Sequence, residues 1–238
     1  MFFRLKHSRA LLLVALVLAL ACPLSATQTT KQLANGVTLY QEIITDAGAE
    51  QVINCVTVDP KAEGVSIKAA LGKDVVYVPD PYEGREAVNA MTGRRGALIG
   101  INADFFPFTG DPLGVCVIDG ELVSEPSFRH GVFALLKDGT GVLDNPTWQG
   151  SLTLANRVSR QIDGINRPRE TNQVIVFTSR FDSSTRSKYK GTEVVCTTPD
   201  LPVQSGKTLN LTVVEVRADS VNTPIPRDGL VLSAGGPA

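Results

Sequence analysis

The pattern of apolar and polar positions after residue 36 is that of a chain built from short strands. Residues 37–44, 51–59 and 65–71 each mix β-branched and aromatic side chains and end at Gly, Pro or Asp, which predicts three strands. Residues 86–95 predict the one clear helix: Ala87, Val88 and Met91 share a face at helical spacing, and Gly93 and Gly96 mark its end. The stretch INADFF at 101–106 predicts a further strand. In a strand, alternate residues share a face, so Asn102 and Asp104 would stand on one side while Ile101, Ala103 and Phe105 turn to the core. Beyond it the pattern is β almost throughout. Residues 115–118 and 122–123 flank Asp119-Gly120, and residues 132–136 and 142–143 flank Asp138-Gly139, two hairpins with Asp-Gly turns. Residues 152–161, 174–178, 193–197, 209–217 and 230–233 supply more strands. The predicted class is α+β, mainly β, with mixed and antiparallel sheets and few helices.

The N-terminus follows a different pattern. Arg4, Lys6 and Arg9 precede an eleven-residue apolar run, Leu11 to Ala21, which is too short to span a bilayer comfortably and reads as a signal peptide, residues 1–21. Cleavage after Ala21 is expected, with a second small-residue site after Ala26. Cys22 follows directly, so Ala19-Leu20-Ala21-Cys22 is also a candidate lipoprotein box, and a lipid on Cys22 would anchor the protein to a membrane. Ordinary cleavage is the competing expectation. Residues 22–36 are small and polar and read as a linker, leaving 37–238 as the folded domain. Export predicts a periplasmic or extracellular location.

Charge narrows the choice of partner. The chain has 23 basic and 24 acidic residues. Loss of Arg4, Lys6 and Arg9 with the leader leaves 20 basic against 24 acidic residues and a net charge of −4, which argues against nucleic acid as a partner. Three cysteines lie in the fold beyond Cys22, namely Cys55, Cys116 and Cys196; export permits one disulfide, and spacing does not choose the pair. His130 is the one histidine beyond the leader. That excludes a zinc site needing two or three histidines, and a lone loop histidine reads as solvated.

The candidate chemistry lies in two places. Asp104, Asp111, Asp119, Glu121 and Glu125 fall in one short region. Asn102 and Asp104 precede a loop, Thr109 to Gly114, in which Gly110 and Gly114 permit a sharp turn or close approach to a ligand. From pattern alone, the better reading is that Asn102 and Asp104 satisfy backbone amides of that loop. The second place is Gly164-Ile165-Asn166-Arg167-Pro168-Arg169, where an arginine fork could hold a phosphate. There too, pattern alone favours a charged surface turn.

Taken together, INADFF with Gly110, Gly114, Val117 and Asp119-Gly120-Glu121-Leu122-Val123 resembles the core motif of the phosphodiester glycosidase family. Its best-known activity is N-acetylglucosamine-1-phosphodiester alpha-N-acetylglucosaminidase. Members carry Asn-Gly-Gly-Phe-Phe or Asn-Ala-Asp-Phe-Phe, here Asn102 to Phe106, and the similarity continues through Phe133 to Gly139, Gly164 to Arg169 and Ile225 to Ser233. Members go on to an Arg-Thr-Ala segment and an Asn-Leu-Asp-Gly-Gly-Gly-Ser block. This sequence stops before both, so the resemblance implies the N-terminal part of such a domain.

The activity the resemblance implies is hydrolysis of a sugar-1-phosphodiester, of cell-wall or exopolysaccharide origin. A carboxylate would stabilise the oxocarbenium-like transition state. The leaving group is a phosphate monoester with a second pKa of about 6, so a strong general acid is less necessary than cationic or amide donors. On this reading Asp104 and Asn102 are the catalytic candidates. Phe105, Phe106, Gly110, Gly114, Asn166 and Arg167 are the substrate-binding ones. No cofactor is implied, and no metal-ligand set is visible, a divalent ion bridged by Asp104 being left open. The alternative is an inactive glycan-binding or envelope protein that keeps the pocket alone.

Overall fold

The computed structural model describes residues 26–46, 48–80, 83–103, 105–126 and 130–236. The expected leader, Cys22 and Asp104 lie outside the described residues. The chain divides into two compact units, Met1–Ile67 and Lys68–Ala238, where the sequence predicted a single domain from residue 37.

In the first unit, β1 (Ala26–Ala34), β2 (Val37–Asp46) and β3 (Ala49–Val58) form an antiparallel meander in the order β1-β2-β3. The expected linker at 22–36 therefore contains a strand. β1 is polar along its length and pairs with β2 by its backbone, with cross-strand contacts such as the Gln28 amide donating to Glu42 at 3.1 Å. No buried face was needed to make it a strand, so no alternation announced it. Asn35-Gly36 makes the turn, with Gly36 at φ 68°.

The second unit is centred on a mixed five-stranded sheet. Its strands are β10 (Gly164–Ile165), β11 (Val174–Phe177), β12 (Gly191–Thr197), β13 (Thr212–Ser220) and β14 (Gly229–Ala234), in the order β10-β11-β14-β12-β13. β10 and β11 are parallel; the other pairs are antiparallel. β11 and β14 read as continuous apolar runs because both faces of the sheet are covered. Ile175, Phe177 and Val231 face a core with Leu71, Val76, Ile118, Val123, Phe181 and Ile225. Val176, Leu230 and Leu232 face the opposite core with Ile165 and Cys196, against which Trp148 and Leu152 also pack. Phe181 anchors the first core, stacked on Tyr77 at 5.2 Å and edge-on to Phe177 at 4.8 Å between centroids. Burying one such ring contributes about 1.5–3 kcal/mol.

Three separate hairpins accompany the sheet: β4 (Cys116–Ile118) with β5 (Glu121–Ser124), β6 (Val132–Leu135) with β7 (Gly141–Asp144), and β8 (Gly150–Thr153) with β9 (Ser159–Ile162). The first two carry the predicted Asp-Gly turns, with Asp119 at φ 51° and Gly120 at φ 84°. The third replaces the single strand expected at 152–161; the chain reverses at Asn156 and Arg157, the latter at φ 67°. Residues 65–71, expected as a strand, have no regular structure. The expected strand at 209–217 begins only at Thr212, since Leu209 and Leu211 pack on the second core without pairing to a strand.

The helix, α1 (Val88–Arg95), is the one α-helix among the described residues. It ends as predicted: Gly96 takes the left-handed conformation at φ 62°, and the Ala97 amide returns to the Thr92 carbonyl at 2.9 Å. Among the described residues no helix is long and apolar enough to cross a membrane, and Cys55, Cys116 and Cys196 form no disulfide. The class is α+β, mainly β, with mixed and antiparallel sheets, as the pattern predicted.

Candidate functional site

The described residues of INADFF form no strand. The described residues of 101–106 pair with no other strand, and their side chains point outward: Ile101 is 83% exposed, Phe105 78% and Phe106 45%. The expected inward face of Ile101, Ala103 and Phe105 is corrected on that ground. An apolar run forms a strand only if a neighbouring strand supplies a ladder of backbone hydrogen bonds; here the Phe105 carbonyl accepts the Leu113 amide at 3.4 Å, a loop contact and not a ladder. Asn102 is exposed, and with Ala103, Phe105 and Phe106 it lines an open hollow. Asp104 lies outside the described residues.

The following loop is held tightly. Gly110, at φ 88°, packs so closely on Gly84 that a Cβ would overlap the Gly84 carbonyl oxygen, and a Cβ on Gly84 would overlap the Thr109 carbonyl. The Val78 amide donates to the Thr109 carbonyl at 3.1 Å. Gly110 thus has the close backbone approach expected of it, but toward the protein's own chain. Gly114 is buried, and its carbonyl accepts the Ser124 hydroxyl at 2.7 Å.

The arginine-rich segment takes a different position from the one expected. Asn166 is 1% exposed, at φ 53°, and its carboxamide is committed inside the fold. Its Nδ2 donates to the Val123 carbonyl at 2.9 Å and to the Thr178 hydroxyl at 3.0 Å, while its Oδ1 accepts the Thr178 amide at 2.8 Å. Arg167 forms an ion pair through Nε with Glu125 and donates through its other nitrogens to Gln173 at 2.8 Å and the Asp163 carbonyl at 2.9 Å. Neither residue presents a free group to a ligand, and their place in the fold argues against the substrate contacts expected of them. Both act instead to join β5, β10 and β11.

Arg169 is fully buried, as is Glu193, and the two meet through Ser233. Arg169 Nε donates to Ser233 Oγ at 2.8 Å, and Ser233 Oγ donates to Glu193 at 2.9 Å. Ser187 at 2.7 Å and Thr185 at 3.0 Å add their hydroxyls to the same carboxylate. Burial pushes the Glu193 carboxyl up, but the hydroxyls of Thr223, Ser187, Thr185 and Ser233 outweigh it and leave it below the usual range.

The other carboxylates of the sequence cluster are also engaged. Asp111 accepts the Thr109 hydroxyl, Asp119 pairs with Lys68 at 2.9 Å, and Glu121 pairs with Arg180 at 2.7 Å. His130 is exposed. Among the described residues no group of three His, Cys, Asp or Glu side chains is placed to hold a metal ion.

Pattern reasoning missed Arg85. Its exposed guanidinium lies 4.1 Å above the centre of the Phe108 ring, beside the Gly84 contact with the loop. The adjacent Glu86 is engaged elsewhere, with Arg94 at 2.7 Å, and Asp74 pairs with Arg94 and Arg95. The Arg94 side chain, and next the Lys73 backbone amide, hold the Glu86 carboxyl down at about 2. Sequence could not separate Arg85 from Arg94 and Arg95, because the difference lies in which of them has a carboxylate.

No family model matches the chain, and no curated protein sequence matches it. Solved structures share its fold, among them the following two. A hypothetical protein from Synechocystis superposes with a TM-score of 0.65 at 18% identity over 89% of this chain and 37% of its own. A protein of Burkholderia pseudomallei K96243, whose name places it provisionally among exported proteins, superposes with a TM-score of 0.60 at 16% identity, over 90% of this chain and 65% of its own. The chain therefore spans less than two thirds of either neighbour, and at these identities the likeness is one of fold.

Proposed function

We propose that the chain is an exported carbohydrate-active hydrolase that takes a sugar-1-phosphodiester at the 102–106 surface and cleaves its glycosidic bond. The observation that carries the reading is the hollow lined by Asn102, Ala103, Phe105 and Phe106. It offers apolar rings beside a carboxamide, the combination that accepts the apolar face and the hydroxyls of a sugar. The resemblance supplies the reaction, with Asp104 as the carboxylate of the anomeric centre and Asn102 orienting the sugar.

The test is release of sugar from a panel of sugar-1-phosphodiesters. Turnover by the wild type is expected, with kcat/KM lowered roughly 10- to 100-fold in Asn102→Ala, the loss of one hydrogen bond to a polarised group. A second reading, a glycan-binding protein without hydrolytic activity, is favoured by the same rings, since an aromatic platform needs no carboxylate. Binding without turnover would select it, and absence of both would sink the two together.

Export follows from the N-terminal pattern and is consistent with the name of the Burkholderia neighbour. Expressed with a C-terminal tag in a bacterial host, the protein is expected outside the cytoplasm with its first residue at Cys22, unmodified or acylated, or at Thr27 if the second site is used. Recovery from the cytoplasm with Met1 retained would overturn this.

A further inference from the structure

We infer that Arg85, and not Arg167, is the residue that recognises the phosphodiester anion of this site. The inference rests on the sugar-phosphodiester reading of the 102–106 surface and names its anion contact.

Arg167 is spent on Glu125, Gln173 and the Asp163 carbonyl. Arg94 and Arg95 are spent on Asp74 and Glu86. Among the described residues Arg85 has no ion pair, although Glu86 is next to it in sequence, because Glu86 is held by Arg94 and the Lys73 amide. Its guanidinium is exposed and presents N–H donors that no described carboxylate pairs with.

The position of that cation is fixed from two directions. The backbone beside it is pinned where Gly84 packs on Thr109 and Gly110, at the end of the segment that begins with INADFF. The guanidinium itself rests over Phe108, two residues beyond Phe106 of the hollow. Stacking on a ring occupies one face of the guanidinium and leaves its N–H edge open, the geometry in which an arginine fork takes two phosphate oxygens. Because the ring and the glycine contact already restrict the side chain, less rotamer freedom is lost when an anion binds.

The test measures binding of three probes by NMR titration of the full chain, following the backbone amide resonances of Phe106, Phe108 and Gly110, which every variant retains. The probes are dimethyl phosphate, the methyl phosphodiester of glucose-1-phosphate, and neutral methyl glucoside. Arg85→Gln is expected to weaken the two anions 10-fold or more and to leave methyl glucoside within twofold. Arg85→Lys, which keeps the charge without the fork, is expected to fall between. Added salt should weaken anion binding by the wild type more than by Arg85→Gln. Equal affinity of wild type and Arg85→Gln for both anions would overturn the inference, as would a proportionate loss of methyl glucoside. If dimethyl phosphate requires Arg85 while neither sugar probe binds, the anion assignment stands and the sugar reading falls. If the wild type binds none of the three, both fall.

Discussion

Glu193→Ala is expected to destabilise the second unit by about 3–5 kcal/mol, the cost of removing one member of a buried charge network. The Glu193 carboxylate accepts from Thr185, Ser187 and Ser233, and Ser233 links it to the Arg169 guanidinium. Both charged groups are fully buried, and Arg169 Nη1 already lacks a partner. Removing the carboxylate would take the shared acceptor from the hydroxyls of Thr185, Ser187 and Ser233 and leave Arg169 with no compensating anion in that network. Glu193→Gln, which keeps an acceptor oxygen and loses the charge, should cost less. Replacing both charges at once, as Arg169→Met with Glu193→Leu, should cost less than the sum of the two single changes, because the stranded partner is removed as well. Urea unfolding of the wild type, Arg169→Met, Glu193→Leu and the double variant gives the coupling energy, and a loss under about 1 kcal/mol for Glu193→Ala, measured the same way, would contradict this account. The pH dependence has a definite sign. The folded Glu193 carboxyl titrates below its ordinary value of 4.5, so its contribution is complete above that pH and is lost as pH falls through the lower folded value.

This network was not legible in the sequence, and the reason is distance along the chain. Arg169 and Ser233 are 64 residues apart, and Arg167 and Glu125 are 42. A charged residue in a Pro- and Gly-rich segment reads as surface until its partner is placed. Short-range chemistry was legible: Asp119-Gly120 turns because two consecutive residues reach positive φ there, and α1 stops because Gly96 does. The central strands β11 and β14 were legible because burial on both faces leaves near-continuous apolar runs, Val174 to Phe177 and Leu230 to Leu232. INADFF shows the limit of the same logic. Its apolar residues have the composition of a strand, but the described ones join no sheet, and the rings of Phe105 and Phe106 go to the surface. What the pattern could convey was an unusual juxtaposition of amide and aromatic groups. What it could not convey was that these face solvent, where a ligand can reach them, while the amide of Asn166 does not.

That difference between two asparagines is the basis of a second expected result. Asn166→Ala should cost about 2–4 kcal/mol of stability. The change removes the donor to the Val123 carbonyl and the acceptor of the Thr178 amide, and both groups would be left buried and unpaired. Alanine also tolerates the left-handed backbone at φ 53° less well than asparagine does. Asn102→Ala, at an exposed position, should change stability by no more than about 0.5 kcal/mol. Ligand affinity should respond in the opposite way. Titration with a sugar-1-phosphodiester, corrected for the folded fraction measured in the same sample, should show binding weakened in Asn102→Ala and unchanged in Asn166→Ala. The reverse outcome, a stable Asn166→Ala protein with lost affinity, would move the site from the 102–106 surface to the arginine-rich segment. In that case Arg167 would have to exchange Glu125 for the ligand, and Glu125→Gln, by weakening its hold on Arg167, should tighten binding. If the site is at 102–106, Glu125→Gln should lower stability and leave affinity where it was.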